Sequence, residues 1–312
     1  MKKLVSIIVP VYNEENNINI FIDVLKENLN FQNYNFELIF CLDPSSDFTE
    51  NEIVKACDKL NYVKLIKFSR KIGQAKSIFA GLKESRGNCA IIMDVDLQDP
   101  PSLIPKLLEK WDEGFLHVKA ERISREGEPL IKDIVSRLGY WFLNKFSETN
   151  IPKNTGDFRL IDKKIIELLN NFKESNFFLR GLMSHIGFET ATVKFIRPPR
   201  KFGKTKYNKY LGSLKIAFDG IIGFSTVLLK LSIFAGFIVS IIGLSFAAYF
   251  IYLKLNNVNT QSGITSIVIL ISLVGGFNLF ATGILGLYVG RMSDDVKERP
   301  KYYISRMIGF DN

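Results

Sequence analysis

The stretch from Cys89 to Pro101, CAIIMDVDLQDPP, sets three oxygen-bearing side chains at alternate positions: Asp94, Asp96 and Gln98. Along an extended chain successive side chains alternate faces, so these three would share one side. Hard oxygen donors suit Mg²⁺ or Mn²⁺, which one or two carboxylates hold while water and substrate phosphates fill the other positions. Ala90 to Met93 is an apolar run fit for a strand buried on both faces of a parallel sheet. The carboxylates then emerge where such a strand leaves the sheet, the place where open α/β folds bind ligands. Asp99 reads differently, as the N-cap of a helix begun by Pro100 and Pro101.

An acidic row of this kind needs a sheet to hold it. Leu4 to Pro10 (LVSIIVP) is a Val/Ile-rich strand, followed by a polar patch at Tyr12 to Asn17 and by Ile18, Phe21, Ile22 and Leu25 at helical spacing. Phe36 to Leu42 is a second strand, closed by Asp43-Pro44-Ser45-Ser46-Asp47, with a helix through Leu60. Tyr62 to Phe68 is a third, and a helix from Lys71 to Ser85 leads into the strand before the acidic row. Strands alternating with helices predict right-handed crossovers and a parallel α/β sheet. No GxGxxG and no Walker-type glycine loop occurs, so neither dinucleotide nor P-loop binding is supported.

In such a sheet the polar loops at Tyr12 to Glu15, Asp43 to Asp47 and Ser69 to Gly73 open onto the same edge as the acidic row. There an Asp of the second loop can accept a bond from a base N–H, and Arg70 can meet a ribose or phosphate. Downstream come a helix from Ser102 to Glu113, a strand from Phe115 to Ala120, and a basic loop with Arg122, Arg125 and Gly127. A helix follows from Asp133 to Phe146, in which Trp141 reads as core or a membrane-proximal face. Asp157 stands at the start of a further strand, helices follow at Asp162 to Asn170 and near Phe177 to Ser184, and Ile186 to Ile196 is the last strand. His117 and His185 lack partners at ligand spacing and read as structural. Cys41, Cys57 and Cys89 have no metal-type spacing and read as reduced structural thiols.

The net charge of +9 is unevenly spread: Thr190 to Phe218 carries eight Lys or Arg and no acidic residue. This run leads into two long apolar segments, so its partner is an anionic membrane surface and not nucleic acid. Tyr210 to Leu229 has an apolar stripe suited to a helix lying in the bilayer interface. Leu231 to Leu253 is free of charge and long enough to cross a core of about 30 Å at about 1.5 Å per residue. Ile264 to Val289 is a second span. Basic residues crowd before the first span and at Arg291, Lys297, Arg299, Lys301 and Arg306, which places both termini in the cytoplasm. Gly276, Gly283, Gly286 and Gly290 share one face of the second span, a surface for close helix packing and for a homo-oligomer. The chain therefore divides into a cytoplasmic catalytic domain at 1–209, an interfacial helix at 210–230, two membrane helices at 231–290 and a basic cytoplasmic tail at 291–312.

VSIIVPVYNEE at Val5 to Glu15, DVDLQDPP at Asp94 to Pro101, GDFRL at Gly156 to Leu160 and RKFGKTKY at Arg200 to Tyr207 together resemble the polyprenyl-phosphate glycosyltransferases. These are GT-A fold, family 2 enzymes related to dolichyl-phosphate mannose synthase and to bacterial undecaprenyl-phosphate glucosyltransferases. The chain departs from that pattern after the second strand, where Leu42-Asp43-Pro44 replaces two adjacent Asp and a Gly. The resemblance implies inverting transfer of a hexose, most simply glucose from UDP-glucose, to polyprenyl phosphate. It implies that Asp43 and the loop of Pro10, Tyr12, Asn13 and Glu14 hold the base. Asp94, Asp96 and Gln98 then address a Mg²⁺ or Mn²⁺ on the diphosphate, and Arg200 and Lys206 neutralise the leaving group. Arg122 and Arg125 approach the acceptor phosphate, and Asp157 either takes a proton or orients the acceptor. A processive polysaccharide synthase would share the fold, but the Arg-Trp pair it normally carries is missing from this sequence. A non-catalytic nucleotide-binding scaffold would have no use for the acidic row, Asp157 and the Arg200/Lys206 pair together.

Overall fold

The structure is a computed structural model and describes residues 2–123, 155–172, 179–198, 226–256 and 263–310. Its centre is a run of parallel strands, β1 (Lys3–Val11), β2 (Tyr34–Leu42), β3 (Val63–Phe68) and β4 (Cys89–Ile92). The crossovers between them are α1 (Ile18–Asn28), α2 (Thr49–Lys59) and α3 (Gln74–Glu84). A single 3₁₀ turn at Pro101–Leu103 and α4 (Ile104–Asp112) follow β4. Then come β5 (His117–Arg122), β6 (Thr155–Asp162), α5 (Lys163–Asn171), α6 (Leu179–Ile186) and β7 (Thr190–Phe195). Two long helices, α7 (Val227–Leu255) and α8 (Ile264–Val296), precede a last strand, β8 (Ile304–Ile308).

The strands form one eight-stranded sheet in the order β7-β5-β6-β4-β1-β2-β3-β8. Both faces of its centre are dry, as the unbroken apolar runs require. Val5, Ile7 and Val9 of β1 join Phe21 of α1, Ile53 of α2 and Leu107 of α4 on one face. Ile8, with Ile39, Ala90 and Ile92, joins Ile78 of α3, Ile165 of α5 and Leu182 of α6 on the other. Each such side chain contributes about 1.5–3 kcal/mol when fully buried. The amino edge of the sheet is closed by Glu37, which accepts from Ser6 Oγ at 2.5 Å, the Arg86 N–H at 2.7 Å and Lys64 Nζ at 2.7 Å. The carboxyl edge is where the chain order reverses: β1 is followed by β2 and β3 to one side, while β4 lies on the other. Such a switch point is where loops diverge and where open α/β sheets bind ligands.

Two strands depart from the expected parallel sense. β6 runs antiparallel to both β4 and β5, and β8 antiparallel to β3. The first departure matters for chemistry: an antiparallel strand begins, and does not end, at the carboxyl edge. With Ile92 opposite Arg159, the residues that follow β4 meet the start of β6. The second departure revises the reading of 291–312 as a tail. α8 continues through Arg291 to Val296, and the segment beyond it closes the open edge of β3. An unpaired edge strand leaves a row of N–H and C=O groups unsatisfied, and β8 removes that exposure. The stretch read as one strand over 186–196 also divides, Ile186 closing α6 before β7 begins at Thr190.

α7 and α8 are long and apolar enough to cross a membrane, with mean hydropathy 2.4 over Val227–Leu253 and 1.9 over Ile269–Val296. Gly236 of α7 lies against Phe277 of α8, where an added Cβ would come within 3.3 Å of the ring. The glycine face expected to pack closely does not do so within the chain: nothing among the described residues lies within 4 Å of a Cβ at Gly276, Gly283, Gly286 or Gly290. Close approach is instead met by Gly236 of the opposite helix.

Candidate active site

The acidic row does not lie on an extended strand. β4 ends at Ile92, Met93 N–H still donates to Ile8 C=O at 3.1 Å, and the chain then turns. Leu97 sits at φ 61°, a left-handed conformation that a branched apolar residue adopts only when its surroundings impose it. Leu97 is buried, and the turn is what carries its side chain into the core. Asp96 Oδ1 accepts from the Gln98 N–H at 3.1 Å, closing the turn from within. Asp94 and Asp96 thus come together by a strained turn and not by strand alternation, with the Gln98 backbone N–H on Asp96.

Asp99 also departs from the sequence reading. The residue capping the short 3₁₀ turn is Pro100, and no side chain caps it. Asp99 is buried, accepts from the Asp94 N–H through Oδ2 at 3.3 Å, and faces Arg122 Nη2 at 3.9 Å through Oδ1. Asp94 in turn receives the side-chain amide of Gln74, the first residue of α3, on Oδ1 at 2.9 Å. Burial pushes Asp94 well above the usual carboxylate range, and Asp99, Asp96 and Asp157 add to it while Arg197 opposes. Burial likewise raises Asp99 to about 6 against the pull of Arg122 and Arg197. Carboxylates crowded so that their charges cannot coexist comfortably form a donor set that a divalent cation would relieve. Among the described residues no three His, Cys, Asp or Glu side chains form a ready-made metal cage. A Mg²⁺-type ion held by one or two carboxylates and a substrate diphosphate does not need one. The donor set fits such an ion.

The register of β6 sets Asp157 against this cluster. Lys119 of β5 pairs with Arg159, but Glu121 pairs with Thr155, so β6 bulges across Gly156 to Phe158 and re-aims Asp157. Arg180 Nε donates to Asp157 Oδ1 at 3.2 Å. Arg159, buried, folds back to donate from Nη2 to the Gly156 C=O at 2.7 Å. The Arg122 guanidinium lies on Gly156 so closely that a Cβ there would stand 2.7 Å from Nη2. Burial alone would raise Asp157, but Arg180, Arg159 and Arg122 outweigh it and hold the carboxyl below its ordinary value. Burial lowers Arg159 to about 10, which still leaves it protonated at neutral pH.

The nucleotide-side residues converge on the same edge, several in a different role from the one expected. Both Asp43 oxygens are used by backbone: Oδ1 accepts from Ile72 N–H and Oδ2 from Gly73 N–H, each at 2.9 Å. Its first task is to tie the loop after β2 to the loop after β3. Asn13, at φ 53°, accepts from Ser46 N–H on Oδ1 at 2.8 Å, while its own N–H donates to Ser45 Oγ at 2.9 Å. Glu14 N–H donates to Thr49 Oγ1 at 2.8 Å, and its carboxylate accepts from Asn17 Nδ2 at 2.5 Å. These residues fasten loops to one another. Tyr12 offers a ring with Lys71 Nζ 3.5 Å from its centre, Pro10 is half-buried near the end of β1, and Arg70 is exposed.

Arg125, Arg200, Lys206, Trp141 with its helix, and positions 210–225 of the interfacial helix lie outside the described residues. Gln74, Asp99, Arg180 and Arg197 escaped the sequence reading as site residues. Gln74 adjoins the loop at Ser69 to Gly73, and Asp99 and Arg197 lie in or beside stretches already singled out, while Arg180 sits on a helix with no such neighbour. His117 is structural as expected: buried in β5 with Nδ1 3.0 Å from Thr190 Oγ1, it is driven down by burial to about 3 and stays neutral. The three cysteines are free thiols, Cys41 and Cys89 buried and Cys57 partly so.

A "Glycosyltransferase YkcC" of Bacillus subtilis (strain 168), itself uncharacterized, is 39% identical over 98% of this chain and 95% of its own. A "Prophage bactoprenol glucosyl transferase homolog" of Escherichia coli (strain K12) is 35% identical over 97% of this chain and 99% of its own. Among solved structures, glucosyl-3-phosphoglycerate synthase from Mycobacterium tuberculosis aligns over 70% of this chain and 78% of its own, at 17% identity and a TM-score of 0.46. Residues 6–169, which hold the acidic turn, Asp157 and the loops that face them, match the sequence profile "Glycosyl transferase family 2", and the chain belongs to that family.

Proposed function

We propose that the chain transfers glucose from UDP-glucose to a polyprenyl phosphate at the cytoplasmic face of a membrane, with inversion at the sugar. The observation that carries this reading is the meeting of a carboxylate cluster with Asp157 and its guanidinium partners at the switch point of the sheet, in a chain with two apolar helices. The name borne by the Escherichia coli relative supports glucose and a bactoprenol acceptor.

In this reading a phosphate oxygen of the acceptor attacks the anomeric carbon, the bond from that carbon to the diphosphate breaks, and UDP leaves with the electron pair. Asp94, Asp96 and Gln98 would hold a Mg²⁺ or Mn²⁺, which would supply positive charge where the diphosphate gains negative charge. Arg200 and Lys206 neutralise the same leaving group, and Arg122 and Arg125 receive the acceptor phosphate. Tyr12, Asn13, Glu14, Asp43 and Arg70 shape the donor pocket, in part by holding its loops together. A phosphate monoester has its second pKa near 6 and is already ionised at neutral pH, so no proton need be removed from it. Asp157, held below its usual pKa by flanking guanidiniums, is a weak base and a well-fixed anion. It orients Arg122 and Arg180 for the acceptor and does not act as a proton acceptor.

Because β8 belongs to the catalytic sheet, a membrane-crossing α7–α8 hairpin must leave and return on the same side. The Lys and Arg residues at 291–306 favour the cytoplasm for that side. The deciding experiment incubates the purified chain in liposomes with radiolabelled UDP-glucose, Mn²⁺ and undecaprenyl phosphate, and follows label into the lipid fraction. Absence of lipid-linked label with UDP-glucose, alongside transfer from another nucleotide sugar, would overturn the donor; absence with every nucleotide sugar would overturn the reaction.

A further inference from the structure

The chain that leaves the second apolar helix returns to the catalytic sheet and ends beside the loop that serves the donor. After α8 it turns at Glu298, φ 44°, and β8 pairs with β3, Lys67 opposite Arg306 and Phe68 opposite Ile304 across a bulge. Tyr302, Ile304 and Phe310 pack against the apolar layer under α3, with Tyr302 edge-on to Phe68 at 5.8 Å. Beyond β8, Arg86 Nη2 donates to the Phe310 C=O at 2.8 Å and Lys64 Nζ stands 4.9 Å from the Phe310 ring centre. The docking continues one residue past the end of β3, where the Ser69 N–H donates to the Tyr303 C=O at 3.0 Å.

From Ser69 the chain runs straight through the contacts of the site. Lys71 caps the Tyr12 ring, Ile72 and Gly73 hold Asp43, and Gln74 holds Asp94. Arg70, Lys71 and Gln74 are exposed, and the loop's apolar anchor is Ile72, half-buried against the same layer that receives Tyr302 and Ile304. Ordering such a segment costs conformational entropy, which a ligand must supply if the fold has not already done so.

We propose that β8 is a positioning element of the donor site: the Tyr303–Ser69 bond fixes the root of the loop at 69–74, and through it the placement of Asp43, Tyr12 and Asp94. The segment that follows the membrane hairpin thereby sets the affinity for the nucleotide. The proposal rests on the donor reading of this edge given above. It also gives the hairpin a second task besides anchorage, because its exit strand is a wall of the site.

The test uses two full-length variants. Ser69→Pro removes the bonded N–H at a position preceded by an extended residue, which proline tolerates. Ile304→Asp undocks β8 from the apolar layer. The readouts are UDP binding with Mn²⁺, steady-state kinetics in both substrates, amide exchange over 70–74, and thermal melting. The expected result is about a tenfold rise in the UDP dissociation constant and donor KM, faster exchange over 70–74, and kcat and acceptor KM within about twofold of the parent. A cooperatively melting Ser69→Pro or Ile304→Asp chain with parental UDP affinity would overturn the proposal. So would equal losses in donor KM, acceptor KM and kcat, the mark of general structural damage. A parent chain that binds no UDP would instead overturn the donor reading itself.

Discussion

Arg180 Nε and Asp157 Oδ1 lie 3.2 Å apart, in a pair where a helix from one face of the sheet reaches the first turn of an antiparallel strand. The pair fixes the carboxylate and lowers its proton affinity together, which separates an orienting group from a base. Asp157→Asn is therefore expected to raise acceptor KM by about tenfold or more. Its kcat should fall by less than the 10²- to 10⁴-fold typical of a lost general base. Arg180→Ala should move the acidic limb of the pH–rate profile upward, as loss of a neighbouring cation allows. Full steady-state kinetics from pH 4 to 9 checks both.

The turn at Leu97 concentrates carboxylates that a divalent cation would balance further than Arg122 and Arg197 do. Asp96→Ala is expected to cut turnover by at least about 10³-fold and to abolish any Mn²⁺ enhancement of UDP binding, with the cooperative melt retained. Wild-type rates in that variant would remove the acidic turn from metal binding.

Asp99 supplies a pH test. Its folded pKa, about 6, lies above the ordinary 3.8, so the folded state binds its proton more tightly than the unfolded state does. Stability from this group is complete below pH 4 and is lost as pH rises from 4 to 6. In EDTA, Asp99→Asn should therefore gain stability over the parent across that interval, on the order of 1–3 kcal/mol. Added Mn²⁺ should shrink the difference, because the parent then has a counter-charge. Denaturant melts of both proteins at pH 4 and pH 7 measure it.

At Gly156 an added Cβ meets the tip of a long, flexible arginine, not backbone. Gly156→Ala should cost less than about 1 kcal/mol of stability, since the guanidinium can move aside. The displaced Arg122 then no longer faces Asp99, and acceptor KM should rise while donor KM holds. Melting and kinetics on one preparation decide this.

Because β8 lies beyond the hairpin, truncation and excision should differ. A chain cut before Tyr210 loses β8 with the helices and bares the edge of β3, and it is expected to aggregate and bind UDP poorly. A chain in which 227–296 is replaced by a flexible linker keeps β8. It should retain UDP binding and use a short soluble prenyl phosphate, yet transfer poorly to undecaprenyl phosphate in liposomes. Equal use of both acceptors by the excised chain would reduce the hairpin to an anchor.

Local pattern in the sequence was enough for the β-α alternation, the two apolar helices and the convergence of loops on one edge, because periodicity and composition act within a few residues. It also singled out Asp94, Asp96 and Asp157 as candidates, since their types and motifs carry the signal. What local pattern does not contain is the sense in which distant strands pair. The antiparallel register of β6 brings Asp157 to Asp94, and that of β8 turns a supposed tail into part of the sheet. Side-chain partners depend on the same long-range packing. Asp43 was legible as a site residue, but its two backbone partners lie some thirty positions on. Asp99 had the spacing of a helix cap, and burial beside Arg122 and the Asp94 amide gave it another role. Gln74 stood one residue beyond a loop already singled out, and Arg180 left no local mark at all. Their function exists only because α3 and α6, packed on the face of the sheet opposite α1 and α4, point one residue each toward the switch point.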